Sequence, residues 1–222
     1  MPGAHSMPVQ KLISIASPAL AQEAIPALLG DELQGDERLR GELREMLAMK
    51  NGFYVFEGAL HVFPWIQQSA HSAHLSLQDW NDTQLWRCWY QGQCDGLLSF
   101  AEDAFGGQFA ISKDEVVSFD PESGEVEAIA SSIAEWAGAL LLNYRQLTGY
   151  PVAKAWQLTN GAIPEGSRLL PKIPFILGGQ YEKENLFAVD AVKGMRYRGD
   201  LWQQISDLPD GAQVRIKALP LL

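Results

Sequence analysis

Between Gly96 and Ile129 the chain reads GLLSFAEDAFGGQFAISKDEVVSFDPESGEVEAI. Three or four short runs rich in Val, Ile and Phe are cut by Gly106-Gly107 and by Asp120-Pro121-Glu122-Ser123-Gly124. Runs of this length and composition, bounded by such turn residues, read as antiparallel strands joined by tight turns. Proline presets the entry angle of the second turn, and glycine accepts the positive φ that closes it. A strand meander therefore lies at the middle of the chain, and the remaining segments must pack around it.

The same stretch holds most of the negative charge. From Asp95 to Glu127 there are nine carboxylates against the single cation Lys113, a net of −8, while the whole chain carries −10. The acidity is local, which favours docking of a cationic partner over general nucleic-acid binding, since phosphate contacts need clustered Lys and Arg. The nominated partner-binding carboxylates are Glu102, Asp103, Asp114, Glu115, Asp120, Glu122, Glu125 and Glu127. Alternation with Val116, Val117, Phe119 and Val126 is expected to turn many of them to solvent. A face that serves solubility alone is the competing reading. On either view, reversing the charges of Asp120, Glu122, Glu125 and Glu127 should leave folding nearly intact.

Helices are expected on both sides of the meander. Over 36–50, Leu39, Leu43, Met46 and Leu47 fall on one helical face, with Asp36 as N-cap and Asn51-Gly52 as the stop. FYVFEGALHVF, residues 53–63, reads as a hairpin turning near Glu57-Gly58, with Pro64 ending the pairing. A helical pattern returns over 77–90 with Trp80, Leu85, Trp86 and Trp89. A further helix spans 132–147, opened by a Ser132/Glu135 capping box, with Ile133, Trp136, Ala137, Leu140, Leu141 and Tyr144 on its buried face. Residues 150–222 alternate turns with short apolar runs, among them PFILGGQY and QVRIKAL, and carry about +2. The expected fold is α+β, a mostly antiparallel twisted sheet flanked by helices. An N-terminal arm (1–30) and a C-terminal extension (150–222) would surround a core of residues 31–149.

Residue patterns for chemistry are sparse. His71 and His74 lack the further ligands a metal site needs, so neither a metal nor a cofactor is expected. Cys88 and Cys94 are separated by five intervening residues, outside the spacing of zinc or redox pairs, and Cys88, between Trp86 and Trp89, reads as a small buried hydrophobe. His61 sits in a strand with no visible partner to orient it as a base. Gly106-Gly107 and Gly178-Gly179 lack the Lys-Ser/Thr of a phosphate loop and read as strand turns. The two cysteines suit a reducing cytoplasm. MPGAHSMPVQKL shows no charged segment leading into an apolar one, and no apolar run is long enough to cross a bilayer. Neither a secretory signal nor a membrane partner is expected.

GLLSFAEDAFGGQF, residues 96–109, resembles the bacterial SUKH superfamily of Smi/Knr-type proteins. LQDWN with LWR upstream, VSFDPESGE downstream and the helix bearing Ser132, Glu135 and Trp136 extend the likeness over roughly 36–149. LPKIPF, GGQY and DLPDG near the C-terminus look like an extension that some bacterial members carry. The resemblance implies an α+β fold without catalytic residues. It also implies an immunity protein that neutralises a cognate toxin of contact-dependent or type VI secretion systems. The expected mechanism is occlusion of the toxin's active cleft by the acidic surface. The alternative is an intracellular scaffold or regulator that binds a host protein. An unrecognised hydrolase would instead need one deep pocket with converging nucleophile, base and orienter.

Overall fold

A computed structural model describes residues 7–25, 36–67, 74–209 and 211–213. The boundary expected at residues 30 and 31, His71, and the apolar run beyond Gln213 lie outside the described residues. Strands β1 (Phe53–Val55), β2 (Leu60–Val62), β3 (Leu97–Asp103), β4 (Gln108–Ser112), β5 (Glu115–Phe119) and β6 (Val126–Ala130) form one sheet in sequential order. Every pairing in it is antiparallel. The α+β expectation holds: helices flank this sheet, and a second, two-stranded sheet pairs β7 (Ser167–Pro171) with β8 (Leu186–Asp190).

Local signals place the first elements. Helix α1 (Met7–Ser14) buries Val9 and Leu12 in the main core, so this part of the expected arm is core structure. Lys50 Nζ donates to the carbonyls of Ile13 (3.0 Å) and Ser17 (2.9 Å), closing the end of α1. Helix α2 (Glu37–Met49) is capped by Asp36, which accepts from Leu39 N–H at 3.1 Å, and it buries Leu39, Leu43, Met46 and Leu47 as its periodicity requires.

The helix expected over 77–90 is broken. Helix α3 (Leu77–Trp80) opens with a Ser76/Asp79 capping box and stops after one turn. Asn81 is the cause. Its amide donates to Leu77 O and Ser99 O at 2.8 Å, and its carbonyl oxygen accepts from Ser99 N–H, so it ties the segment to β3 instead of extending the helix. A 3-10 turn follows at Arg87–Tyr90, directing Arg87 and Tyr90 inward and Cys88 outward. Cys88 is thus exposed and Cys94 is the buried thiol, pushed up to about 12 by burial.

Helix α4 (Ile133–Leu147) packs Trp136 against Phe100 and Phe109 on one face of the sheet. On the other face Trp80 Nε1 donates to Gln108 Oε1 at 2.7 Å, and Tyr90 meets Phe119 edge to face. Both faces of the central strands are therefore covered, and β3 and β4 are buried almost throughout. Alternation along these strands cannot expose every second residue.

Residues 150–205 hold two helices that the short apolar runs did not announce, α5 (Tyr150–Asn160) and α6 (Ala191–Ile205). The buried face of α6 includes Gly194, Arg198 and Gly199 alongside Ala191, Met195 and Leu201, which hides it from an apolar pattern. Gly199 is required there, since a Cβ would lie 2.6 Å from that of Trp89. Ala191 and Met195 join the main core, so α6 is continuous with it.

Candidate functional site

The candidate site is a cleft of about 460 Å³ at one end of β4, β5 and β6. Two turns, one long connection and the end of α4 enclose it.

The β3–β4 turn forms the first wall. Asp103 Oδ1 accepts from Phe105 N–H and Gly107 N–H, both at 2.8 Å, which folds the chain back within four residues. A Cβ on Gly107 would sit 2.6 Å from the Asp103 carboxylate, so this position excludes side chains. Burial pushes the Asp103 carboxyl up to about 6, although both amides and Arg198 pull it down.

The turn at residues 120–125 forms the second wall. Asp120 Oδ1 accepts from Glu122 N–H at 2.7 Å and from Ser123 N–H at 3.3 Å. Gly124, at φ 75°, lies against the Trp202 indole of α6. This sends Glu122 inward, where it is 5% exposed. Its Oε1 stands 3.8 Å from Arg198 Nε, and its Oε2 accepts from Ile176 N–H at 3.0 Å. Glu122 thereby joins the meander to α6 and to the β7–β8 connection.

That connection supplies the third wall. Phe175 and Tyr181 stack at 3.8 Å between centroids and 8° between planes, and Phe105 meets both edge-on. Asn185 holds the loop by accepting from Ile173 N–H (2.9 Å) and donating to Ile173 O and Gln180 O. Gly178-Gly179 lies in this loop, and a Cβ on Gly179 would collide with Ile173 O. Tyr181 is 60% exposed. Its phenol is pushed up by burial and then by the negative field of Asp120, Glu122 and Asp103.

Among the described residues, five carboxylates line the cleft (Asp103, Asp120, Glu122, Glu125 and Glu127) against one guanidinium, that of Arg198. Phe105, Phe109, Phe119, Phe175 and Tyr181 provide aromatic surface. An aromatic face beside carboxylates suits a guanidinium or ammonium group, which gains cation–π attraction from one and charge-assisted hydrogen bonds from the other.

The nominated carboxylates thus separate by environment. Asp120, Glu125 and Glu127 are exposed at the cleft, and Asp114 and Glu115 are exposed at the β4–β5 turn. Glu102 does not belong to any exposed face, contrary to expectation. It is 2% exposed in β3, with Oε1 at 2.9 Å from Arg168 Nε and 3.0 Å from His61 Nδ1. Burial raises its pKa, but Arg168 and His61 outweigh this and hold it below the usual carboxylate range. Glu122 and Asp103 are likewise not solvated side chains: one is buried against Arg198, the other is half-buried as a turn cap. Arg168 of β7 covers Glu102, Arg198 and the β7–β8 connection cover Glu122, and Asp103 is folded onto the amides of its own turn.

His61 does have an orienting partner, directly across the β2–β3 ladder in Glu102. Burial lowers the His61 pKa to about 4, so at neutral pH the uncharged ring donates Nδ1–H to the carboxylate. Tyr54 stacks on the ring at 4.5 Å, and Arg168 lies over Tyr54 at 5.6 Å. His74 Nε2 meets Glu165 at 2.7 Å, and among the described residues no group of three His, Cys, Asp or Glu is placed to hold a metal ion. Nor is any helix among them long and apolar enough to cross a membrane.

Phe175, Tyr181 and Arg198 are the site residues that sequence reading missed. The run PFILGGQY, apolar yet broken by Gly-Gly and ending in a tyrosine, was the signal available.

No family model matches the chain, and no curated protein does. Among solved structures the chain is similar to one titled "Crystal structure of Atu4351 from Agrobacterium tumefaciens", with 16% identity and a TM-score of 0.49 over 78% of this chain and 83% of that one.

Proposed function

We propose that this protein is a non-catalytic, SUKH-type binding domain that acts as an immunity protein, seating a cationic element of its cognate toxin in the acidic cleft. The observation that carries the reading is the convergence of exposed Asp120, Glu125 and Glu127 with the exposed Tyr181 of a stacked aromatic pair in one concavity. Exposed carboxylates speed encounter with a basic surface, and a desolvated aromatic anchor holds it. Occlusion follows when that basic surface is the toxin's own substrate-handling cleft. The meander and its Gly-Gly and Asp-Pro-Glu-Ser-Gly turns support the family reading.

The test is co-expression with the product of the neighbouring reading frame. The native chain should restore growth and co-purify with that product, and a Glu125→Lys/Glu127→Lys variant should do neither. A neighbouring product that is harmless to the cell, or that is neutralised equally by the variant, would overturn the reading.

A further inference from the structure

We propose that the outer edge of β6 receives an extended, cationic segment of the partner protein as a seventh strand, with a basic side chain of that segment entering the cleft. The inference rests on the reading of the acidic cleft as the docking face, and it adds how the partner's backbone is held.

The chain treats the two edges of its main sheet differently. At β1 the edge is closed by the segment that follows α1. Ser17 N–H donates to Tyr54 O at 2.8 Å, Tyr54 N–H donates to Ser17 Oγ at 3.0 Å, and Leu20 and Ala21 donate to carbonyls of Asn51 and Gly52. At the opposite side, among the described residues, β6 pairs with β5 alone. Among the described residues no hydrogen bond reaches the free edge of Val126–Ala130. Val126, Glu127 and Ala128 are exposed, Val126 at 42%. The open stretch has defined ends. Asp120 N–H donates to Glu125 O at 2.9 Å at its start, and Arg38 donates to Ser131 O at 3.1 Å just beyond its finish.

A row of unpaired N–H and C=O groups is a template for another strand. The charges on this edge decide which strand it accepts. Edge-to-edge pairing of two copies would bring Glu125 and Glu127 of each toward like charge, and opposed like charges destabilise a pair. A second copy is therefore disfavoured, and a strand bearing Arg or Lys is complementary. The place of the cleft adds selectivity. Glu125 and Glu127 stand both on β6 or at its start and on the cleft lining, so a strand laid along β6 carries its side chains to the carboxylates and the Phe175–Tyr181 stack. Strand addition draws affinity from main-chain hydrogen bonds and selectivity from pockets for side chains.

The probe is an acetylated, amidated hexapeptide alternating Arg and Thr, compared with a Glu–Thr analogue and with an Arg–Thr peptide N-methylated at every residue. Calorimetry and amide hydrogen exchange on the full chain read the outcome. The Arg–Thr peptide should bind and raise protection of the outward-facing amides within Val126–Ala130. The Glu–Thr peptide should not bind, and the N-methylated peptide, equal in charge but unable to donate from its residue amides, should bind at least about tenfold more weakly, the loss of roughly one or two main-chain hydrogen bonds. Equal binding of the N-methylated peptide would overturn strand addition while leaving charge capture by the cleft in place. No binding of the Arg–Thr peptide, or outward β6 amides already protected in the free chain, would also overturn it. Failure of the underlying reading shows separately, as a native partner whose affinity ignores Glu125→Lys/Glu127→Lys.

Discussion

Glu102 on β3 and Arg168 on β7 meet at 2.9 Å, each almost fully buried, so the contact between the two sheets runs through a desolvated ion pair. Removing one member leaves the other charged in a site that water cannot reach. Arg168→Ala should therefore cost roughly 3–5 kcal/mol, whereas joint replacement of Arg168 by Met and Glu102 by Leu should cost less. Urea midpoints at constant m-value check this, and equal losses for the single and double variants would count against it.

Two buried groups give opposed pH dependences. His61 has a folded pKa of about 4, below its ordinary value, so the unfolded chain takes up a proton first. Its contribution to stability is complete above about 6.5 and is lost as pH falls from there toward 4. Asp103 has a folded pKa of about 6, above its ordinary value, so the folded chain keeps the proton longer. Its contribution is complete below about 3.8 and is lost as pH rises through 6. His61→Gln should flatten the acid-side loss, and Asp103→Asn should flatten the opposing slope. Thermal midpoints between pH 4 and 7 read both.

The eight nominated carboxylates should not behave alike. Glu125→Lys/Glu127→Lys should change stability by about 1 kcal/mol or less, because both residues are exposed. Glu122→Lys, set against Arg198 in a buried turn, should cost roughly 3 kcal/mol or more. Denaturation of the two variants side by side separates solvent-exposed carboxylates from structural ones. It also replaces the expectation that all four reversals would be harmless.

Tyr181 completes the aromatic wall while remaining 60% exposed. Tyr181→Ala should remove about 1–2 kcal/mol of stability, the value of its contacts with Phe175 and Phe105. If the cleft is the docking face, partner affinity should fall by roughly 2 kcal/mol, as for a buried interface anchor. Calorimetric titration of the native partner measures it.

Gly124 holds φ 75° with the Trp202 indole where a Cβ would stand. Gly124→Ala should destabilise by more than about 1 kcal/mol, since both the backbone angle and the contact oppose a side chain. Hydrogen exchange should show the 120–125 turn loosening from α6 before the meander itself.

The elements legible in the sequence were those set by local physics. The α2 face at Leu39, Leu43, Met46 and Leu47, the caps at Asp36 and Ser132, the hairpin around Glu57-Gly58 and the four central strands all depend on neighbours within a few residues. Helix α6 escaped because its inward positions are occupied by Gly194, Arg198 and Gly199, which serve close approach and charge neutralisation instead of apolar burial. Whether a carboxylate faces water is not a local property. The sequence alone established that the meander would be strongly acidic. Only the tertiary structure decided that Glu102 and Glu122 are held by arginines from distant elements while Glu125 and Glu127 stay open beside an aromatic wall, because burial and ion pairing are settled by what packs across the sheet.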